Sequence, residues 1–243
     1  MLIPMQYLPL RDVTGCIHVG AHKAEELNDY VANGINRVLW VEANSELHEE
    51  IEIKINDYPN MTLGKFAAGA HESTEMLHVA NDTQSSSILA MKTHKEEYPE
   101  IDYIKDIQIE VKDIDSWLEA NGIEARLYNF LNLDVQGYEL MALKGCKVQL
   151  DYVDLVYTEV NREELYENCV TVEILDRHLK ARGFKRVATV MTRHGWGDAL
   201  YAKKPYPTLM MKILAKQKID WFVAKIKRLW KRLKCFRIKA ASA

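Results

Sequence analysis

The sequence predicts an α/β protein: an open, doubly wound, mostly parallel sheet with helices on both faces, followed by a basic amphipathic helix. Three observations predict it. Short apolar runs alternate with segments of helical periodicity through most of the chain. Glycines stand just past several of the helical segments, at 34, 122, 145 and 183. Charge also divides the chain. From Lys203 onward there are 13 Lys and Arg and one acid, a net +12, whereas residues 1–202 hold 19 Lys and Arg and 34 Asp and Glu, a net −15. An acidic body joined to a basic tail implies two units, 1–204 and 205–243, with Pro205 and Pro207 at the boundary.

The elements follow in order. Residues 16–20 (CIHVG) form a short buried strand. Residues 24–33 form a helix with Leu27, Tyr30 and Val31 on one side, stopped at Gly34. Residues 37–42 (RVLWVE) form a second buried strand. In 45–56 Ser45 is the N-cap of a helix, and Leu47, Ile51 and Ile55 recur every fourth residue. Residues 62–68 read as a third strand, 75–80 and 106–111 as two more, and 81–87 (NDTQSSS) as a polar loop. A helix over 114–121 closes at Gly122. Residues 129–135 (NFLNLDV) and 154–160 (DLVYTEV) are strands, with a helix from 139 to 144 between them and another over 172–182 after them. Residues 185–191 and 199–203 close the sheet as a pair. Such alternation implies right-handed parallel βαβ units.

Composition narrows the class. Of 243 residues, 48% are hydrophobic and 28% charged, which excludes disorder over most of the length and any low-complexity fibre. No run of about 18 apolar residues exists to span a bilayer. The first residues, MLIPMQYLPLRDV, have no basic region followed by an apolar block, so a cytoplasmic chain is expected. Cys16, Cys146, Cys169 and Cys235 are scattered without metal-ligand spacing, as expected of reduced thiols.

In doubly wound sheets the ligand lies beyond the carboxyl ends of the strands, where strand order reverses. Gly20 follows the first strand. It either admits a ligand close to the backbone beside the free N–H groups of the next helix, or simply makes a tight turn. The G-x-G-x-x-G pattern is absent, since Ala21, His22 and Glu25 stand there, which argues against a nicotinamide oxidoreductase. Glu42 ends the second strand, where an acid accepts bonds from ribose hydroxyls; the plainer alternative is a solvated loop acid. Ala67 and Ala68 leave room for a flat ring such as adenine, or are ordinary packing. Asp134 and Glu159 end two strands expected to be neighbours, and could hold a divalent cation or deprotonate a hydroxyl. Glu139, near a helix start, is favoured by the helix dipole alone. His22 and His194 fall in loops at the same end and are candidate general bases, whereas His18 lies within a strand. Neither a G-x-S-x-G elbow nor a G-x-x-x-x-G-K-[ST] loop occurs, which removes the commonest hydrolase and kinase readings.

These residues resemble the FkbM-type S-adenosylmethionine-dependent methyltransferases. The matching blocks are residues 17–26 (IHVGAHKAEE), 41–44 (VEAN), 66–69 (FAAG), 85–87 (SSS), 111–118 (VKDIDSWL), 132–139 (NLDVQGYE), 143–145 (LKG) and 198–201 (DALY). The resemblance implies a seven-stranded Rossmann-like sheet with a last antiparallel strand, and S-adenosylmethionine as cofactor. His18, Gly20, Ala21, His22 and Glu25 would face its methionine end, Glu42 with Ala43 and Asn44 its ribose, and Ala67 and Ala68 its adenine. Asp134 would sit by the methyl group. Ser86, Ser87, Gln136, Glu139 and Asn161 would touch the acceptor, with residues 81–105 and 192–198 shaping its pocket. Family members are typically O-methyltransferases of sugars, glycans or natural products. The family usually has an acid at His18, a glycine at Ala24 and a glutamate at Gln136.

The expected activity is therefore methyl transfer to a sugar, glycan or small-molecule hydroxyl. Asp134 or His22 would take the proton and Glu159 would help orient the hydroxyl, or a divalent cation on Asp134 and Glu159 would acidify it. A non-catalytic methyltransferase-like module anchored by its tail is the alternative. In the tail, Ile219, Phe222, Ile226, Leu229, Leu233 and Phe236 form a stripe amid eight cations from Lys216 to Lys234. That pattern suits an anionic membrane surface best, placing the protein peripherally on a membrane's inner face. A coiled-coil seam or docking on the acidic body would also use it, whereas nucleic acid would leave the stripe unexplained.

Overall fold

The period-2 alternation within the buried runs decides which helices pack on which face. In the computed structural model, residues 1–206, 209–211, 213–215 and 218 are described. Met1–Pro205 forms one unit. The stripe expected from Ile219 to Phe236 lies outside the described residues. The elements are β1 (Cys16–Val19), α1 (Leu27–Ala32), β2 (Val38–Val41), α2 (His48–Ile55), β3 (Met61–Gly64), β4 (Ala67–Ala68), β5 (Ser73–Ala80), α3 (Thr93–Glu97) and β6 (Tyr103–Lys112). Then come α4 (Ile114–Ala120), β7 (Phe130–Leu133), α5 (Glu139–Lys144), α6 (Gln149–Tyr152), β8 (Leu155–Asn161), α7 (Val172–Lys180), β9 (Lys185–Met191) and β10 (Trp196–Ala202).

Seven strands form one sheet in the order β3-β2-β1-β7-β8-β10-β9. β3 through β8 in that order run parallel, and β10 is antiparallel to both its neighbours. This is the doubly wound, mostly parallel sheet with an antiparallel last strand. β1, β2 and β7 are buried at every position, as largely apolar runs require when both faces are covered, with His18 of β1 and Asn132 of β7 as the buried polar exceptions. Ile17, Val19, Leu39, Val41, Leu131 and Leu133 pack on one face with Ile114 and Leu118 of α4, Ala142 and Leu143 of α5, and Leu175 and Leu179 of α7. The alternate residues point the other way. There His18 lies on Trp40 at 5.1 Å, and Tyr30 of α1 meets Trp40 at 5.4 Å and Phe130 at 6.4 Å.

Four local expectations need correction. Residues 62–68 are not one strand. β3 stops at Gly64, against whose Cα the Phe66 ring folds, with 2.7 Å between a Cβ placed there and the ring. Phe66 then enters the core against Trp117 at 5.3 Å, and Ala67–Ala68 join a separate three-stranded sheet, β4-β6-β5. α1 starts at Leu27 rather than 24, because His22 and Ala24 have φ of +46° and +52°, outside the right-handed helix. Residues 45–47 form a 3₁₀ turn ahead of α2. Its cap is Asn44, whose side chain accepts from Glu46 N at 3.1 Å, not Ser45. The short helices α3 and α6 have too few residues to show a period and were not expected. Among the described residues no helix is long and apolar enough to cross a membrane.

Candidate functional site

The strand order reverses between β1 and β7, and there, at the carboxyl ends, lies a cavity of about 520 Å³. His18, Gly20, Ala21, His22 and Glu25 line it from β1 and its loop, Glu42, Ala43 and Asn44 from the end of β2, and Ala67 and Ala68 from β4. Ser86 and Ser87 line it from the loop after β5, Asp134 and Gln136 from the loop after β7, and Glu159 from β8. Three expected residues do not line it: Glu139, Asn161 and His194.

Gly20 is fixed first by packing. Its φ is +82°, and a Cβ there would lie 1.8 Å from the Asp134 carbonyl oxygen. The same close approach lets Asp134 N donate to Val19 O at 3.0 Å, so β1 and β7 end together. The N–H groups from Gly20 to Ala24 are all engaged within the protein. Gly20 N and Ala21 N donate to Val41 O at 2.9 and 3.0 Å, His22 N to Glu42 Oε2 at 2.7 Å, Lys23 N to Glu25 Oε2 at 3.1 Å, and Ala24 N to Ala21 O at 2.7 Å.

Glu42 is the anchor of that loop. Its Oε2 accepts from His22 N, and its Oε1 accepts from Asn44 N at 2.7 Å. The carboxylate is therefore held in one orientation, with further lone pairs for hydroxyl donors. Burial raises its pKa, and the two N–H bonds oppose that rise. His22 is committed at both ring nitrogens, Nδ1 to Glu25 Oε1 at 2.6 Å and Nε2 to Thr83 Oγ1 at 2.7 Å. As placed it ties the loop after β5 to the β1 loop. His194 bonds Glu97 and Arg193 away from the cavity.

Register sets the acid pair. Leu133 pairs with Thr158, so Asp134, just past β7, stands beside Glu159, which lies within β8 rather than at the strand end expected for it. One side-chain nitrogen joins them: Gln136 Nε2 donates to Asp134 Oδ1 at 2.7 Å and to Glu159 Oε2 at 2.9 Å. Tyr166 OH donates to Gln136 Oε1 at 2.8 Å, and Ser87 Oγ donates to its carbonyl at 2.8 Å. Asp198 also lines the cavity, accepting from Tyr157 OH and Leu2 N. Desolvation by the protein atoms around the cavity, and then the charge of Asp198, raises the Asp134 pKa to about 6, against the lowering effect of the Gln136 bond. Glu159 is held well above the usual carboxylate range by burial and by the charges of Asp134, Glu139 and Asp198.

Glu139 is buried, and its Oε1 accepts from Val135 N at 3.2 Å and Gly137 N at 3.1 Å. It shapes the loop that carries Asp134 and Gln136 and does not itself line the cavity. Asn161 is buried within β8, opposite Trp196. Among the described residues no group of three or more His, Cys, Asp and Glu gathers to hold a metal ion. Between Asp134 and Glu159 the Gln136 amide offers hydrogens where a bridging cation would need lone pairs, so these residues do not fit a divalent cation.

One wall comes from the two segments, 81–105 and 192–198, expected to shape the acceptor pocket, although its residues were not singled out there. His94, Tyr98 and Trp196 line the cavity; Tyr98 and His94 rings are 5.0 Å apart, and Trp196 Nε1 donates to Tyr98 OH at 3.0 Å. Tyr166 lies behind His94 at 5.1 Å. These residues come from α3 and the stretches around β8 and β10, and no local period links them.

Residues 18–186 match the family model described as the methyltransferase FkbM domain. A curated relative, 2-O-methyltransferase NoeI of Sinorhizobium fredii, is 34% identical over 83 residues; the match takes in 34% of this chain, which spans only 33% of that protein's length. Solved structures with a similar fold include a protein in the NADB-Rossmann superfamily from Streptococcus agalactiae (12% identity, TM-score 0.45, covering 83% of this chain and 66% of that one). Another is fibrillarin of Aeropyrum pernix in complex with S-adenosyl-L-methionine (10% identity, TM-score 0.42, covering 80% and 69%). With its family model matched over most of its length and its strand tips gathered around one cavity, the chain belongs to the FkbM methyltransferase family.

Proposed function

We propose that this methyltransferase moves a methyl group from S-adenosylmethionine to a hydroxyl of a sugar, glycan or related metabolite. The observation that carries the reading is the convergence of Gly20, Glu42 and Asp134 on one cavity. The residues fit the cofactor. Glu42 has both oxygens oriented by backbone N–H groups and lone pairs left for a ribose diol, and Ala67 and Ala68 line the cavity with no bulk to obstruct a flat base. When bound, S-adenosylmethionine supplies a methyl group already activated on sulfur.

The chain's part is alignment and proton removal. Asp134, with its pKa near 6, is ionised at neutral pH and still basic enough to take a hydroxyl proton. Gln136 orients it through the 2.7 Å bond. With the cofactor bound, Asp134 would take the proton of the acceptor hydroxyl as that oxygen received the methyl group. Glu159, held protonated more readily than an ordinary carboxyl, orients the hydroxyl beside it. Tyr98 and Trp196 add aromatic rings to the lining, residues of the kind found against sugar rings. The relative NoeI, named a 2-O-methyltransferase, supports oxygen as the acceptor atom.

Transfer of labelled methyl from S-adenosylmethionine to a panel of glycans, with calorimetry of cofactor binding alongside, tests the reading. Absence of cofactor binding would end it. For the tail, the sequence supports contact with an anionic membrane surface. Co-sedimentation with anionic liposomes should be lost on removal of residues 205–243, and its retention would remove that part.

A further inference from the structure

His18 lies in β1 two residues before Gly20, is 3% exposed, and lines the cavity. It belongs to a buried polar chain. The Tyr30 hydroxyl is 3.0 Å from His18 Nδ1, accepts from the Asn132 side-chain amide at 2.8 Å, and lies 3.4 Å from Cys16 Sγ, a thiol donor. A phenol has a single hydrogen. With Asn132 and Cys16 both directing hydrogens at the phenol oxygen, that single hydrogen is left for Nδ1, which must accept it. A neutral imidazole that accepts at Nδ1 carries its own hydrogen on Nε2. Burial pushes the His18 pKa down, which keeps the ring neutral, and pushes those of Tyr30 and Cys16 up, which keeps their hydrogens in place.

Nε2 has no hydrogen-bond partner among the described residues. A nearly wholly buried ring therefore brings one unpaired N–H donor to the cavity. The neighbouring loop cannot replace it, because the five consecutive N–H groups from Gly20 to Ala24 are all bonded within the protein. Glu26 lines the same cavity and its carboxylate has no hydrogen-bond or ion-pair partner among the described residues. One end of the cavity thus holds a neutral donor set into the strand and an unpaired acid in the loop.

We propose that His18 Nε2–H binds the carboxylate of the cofactor's methionine end and that Glu26 takes its ammonium group. This reverses the polarity implied by the acid that usually stands at the His18 position in the family. The assignment rests on the reading of the cavity as a S-adenosylmethionine site.

Two measurements test it on the full chain. Nitrogen NMR of isotope-labelled histidine in the ligand-free protein should show His18 neutral at pH 7 with its hydrogen on Nε2. A hydrogen on Nδ1, or a charged ring, overturns the assignment. Calorimetry then compares S-adenosylmethionine with its decarboxylated analogue. The wild type should bind the analogue roughly 10-fold or more weakly, as loss of a hydrogen bond to a charged group implies. His18→Phe should bring the two affinities together by weakening only S-adenosylmethionine, whereas His18→Asn, which keeps an amide donor, should retain a preference. Equal affinities in the wild type, or equal losses for both ligands in His18→Phe, overturn the assignment and leave the cofactor reading standing. Failure of the wild type to bind S-adenosylmethionine overturns both.

Discussion

The Gln136 side-chain amide donates to Asp134 at 2.7 Å. The same nitrogen reaches Glu159 at 2.9 Å, so an uncharged donor stabilises two adjacent carboxyls that would otherwise repel. It favours the ionised form of Asp134 while desolvation in the cavity and the charge of Asp198 oppose that form, and the balance sets its pKa at about 6.

Asp134→Asn should lower kcat by about 100- to 10,000-fold with cofactor affinity little changed, since it removes a proton acceptor while keeping shape. In the wild type, kcat should fall as pH drops below about 6, where Asp134 takes up a proton. Steady-state kinetics over pH, with calorimetry of the variant, measure both. Survival of turnover in the variant excludes Asp134 as the base.

Gln136→Glu would replace the donor by a further carboxylate among Asp134 and Glu159. The variant should be less stable than the wild type in metal-free buffer and should gain thermal stability on addition of calcium or magnesium. The wild type should gain none. Thermal melts with and without the ions check this, and equal gains in both proteins contradict it.

Glu159 makes stability depend on pH in a definite direction. Its folded-state pKa lies well above the ordinary 4.5, so the folded protein holds a proton that the unfolded chain has lost. Its contribution is full below pH 4.5 and is lost as pH rises towards the folded value. Each pH unit within that window is worth about 1.4 kcal/mol for a buried carboxyl. Glu159→Gln, which cannot ionise, should gain in Tm relative to the wild type as pH rises from about 5 to 8. A constant Tm difference across that range would show that the group is not perturbed.

Gly20→Ala should fail by packing. The added methyl would meet the Asp134 carbonyl oxygen, a backbone atom that cannot swing aside, at 1.8 Å and at a φ of +82°. The cost is about 3–5 kcal/mol, enough to deplete the soluble, folded protein. Denaturant melts check it, and a change under about 1 kcal/mol would mean that the two strand tips do not meet as described.

Glu139 should behave as a support. Glu139→Gln keeps an acceptor for Val135 N and Gly137 N and should retain most stability and turnover. Glu139→Ala leaves both N–H groups unpaired, at about 1–3 kcal/mol each, and should lower stability and kcat together by displacing the loop that carries Asp134. If Glu139→Gln raised only the acceptor KM, Glu139 would touch the acceptor after all.

The sequence by itself determined the sheet, the alternation of helices and the residues at the strand tips. An apolar run such as 38–41 (VLWV), and the largely apolar 130–133 (FLNL), leave a strand no other place to bury, and an acid follows at the carboxyl end of each. That is why Glu42 and Asp134 were legible. Only the tertiary structure decided what each of them meets. Ser87 reaches Gln136 across 49 residues and Trp196 reaches Tyr98 across 98, and no local period encodes such separations. It also decided that Gly20 serves the junction of two strands, that Glu139 holds a loop, that His194 lies off the cavity, and that residues 62–68 split between two sheets. Each of these depends on which distant backbone or ring occupies the neighbouring space, and that is settled only when the layers close.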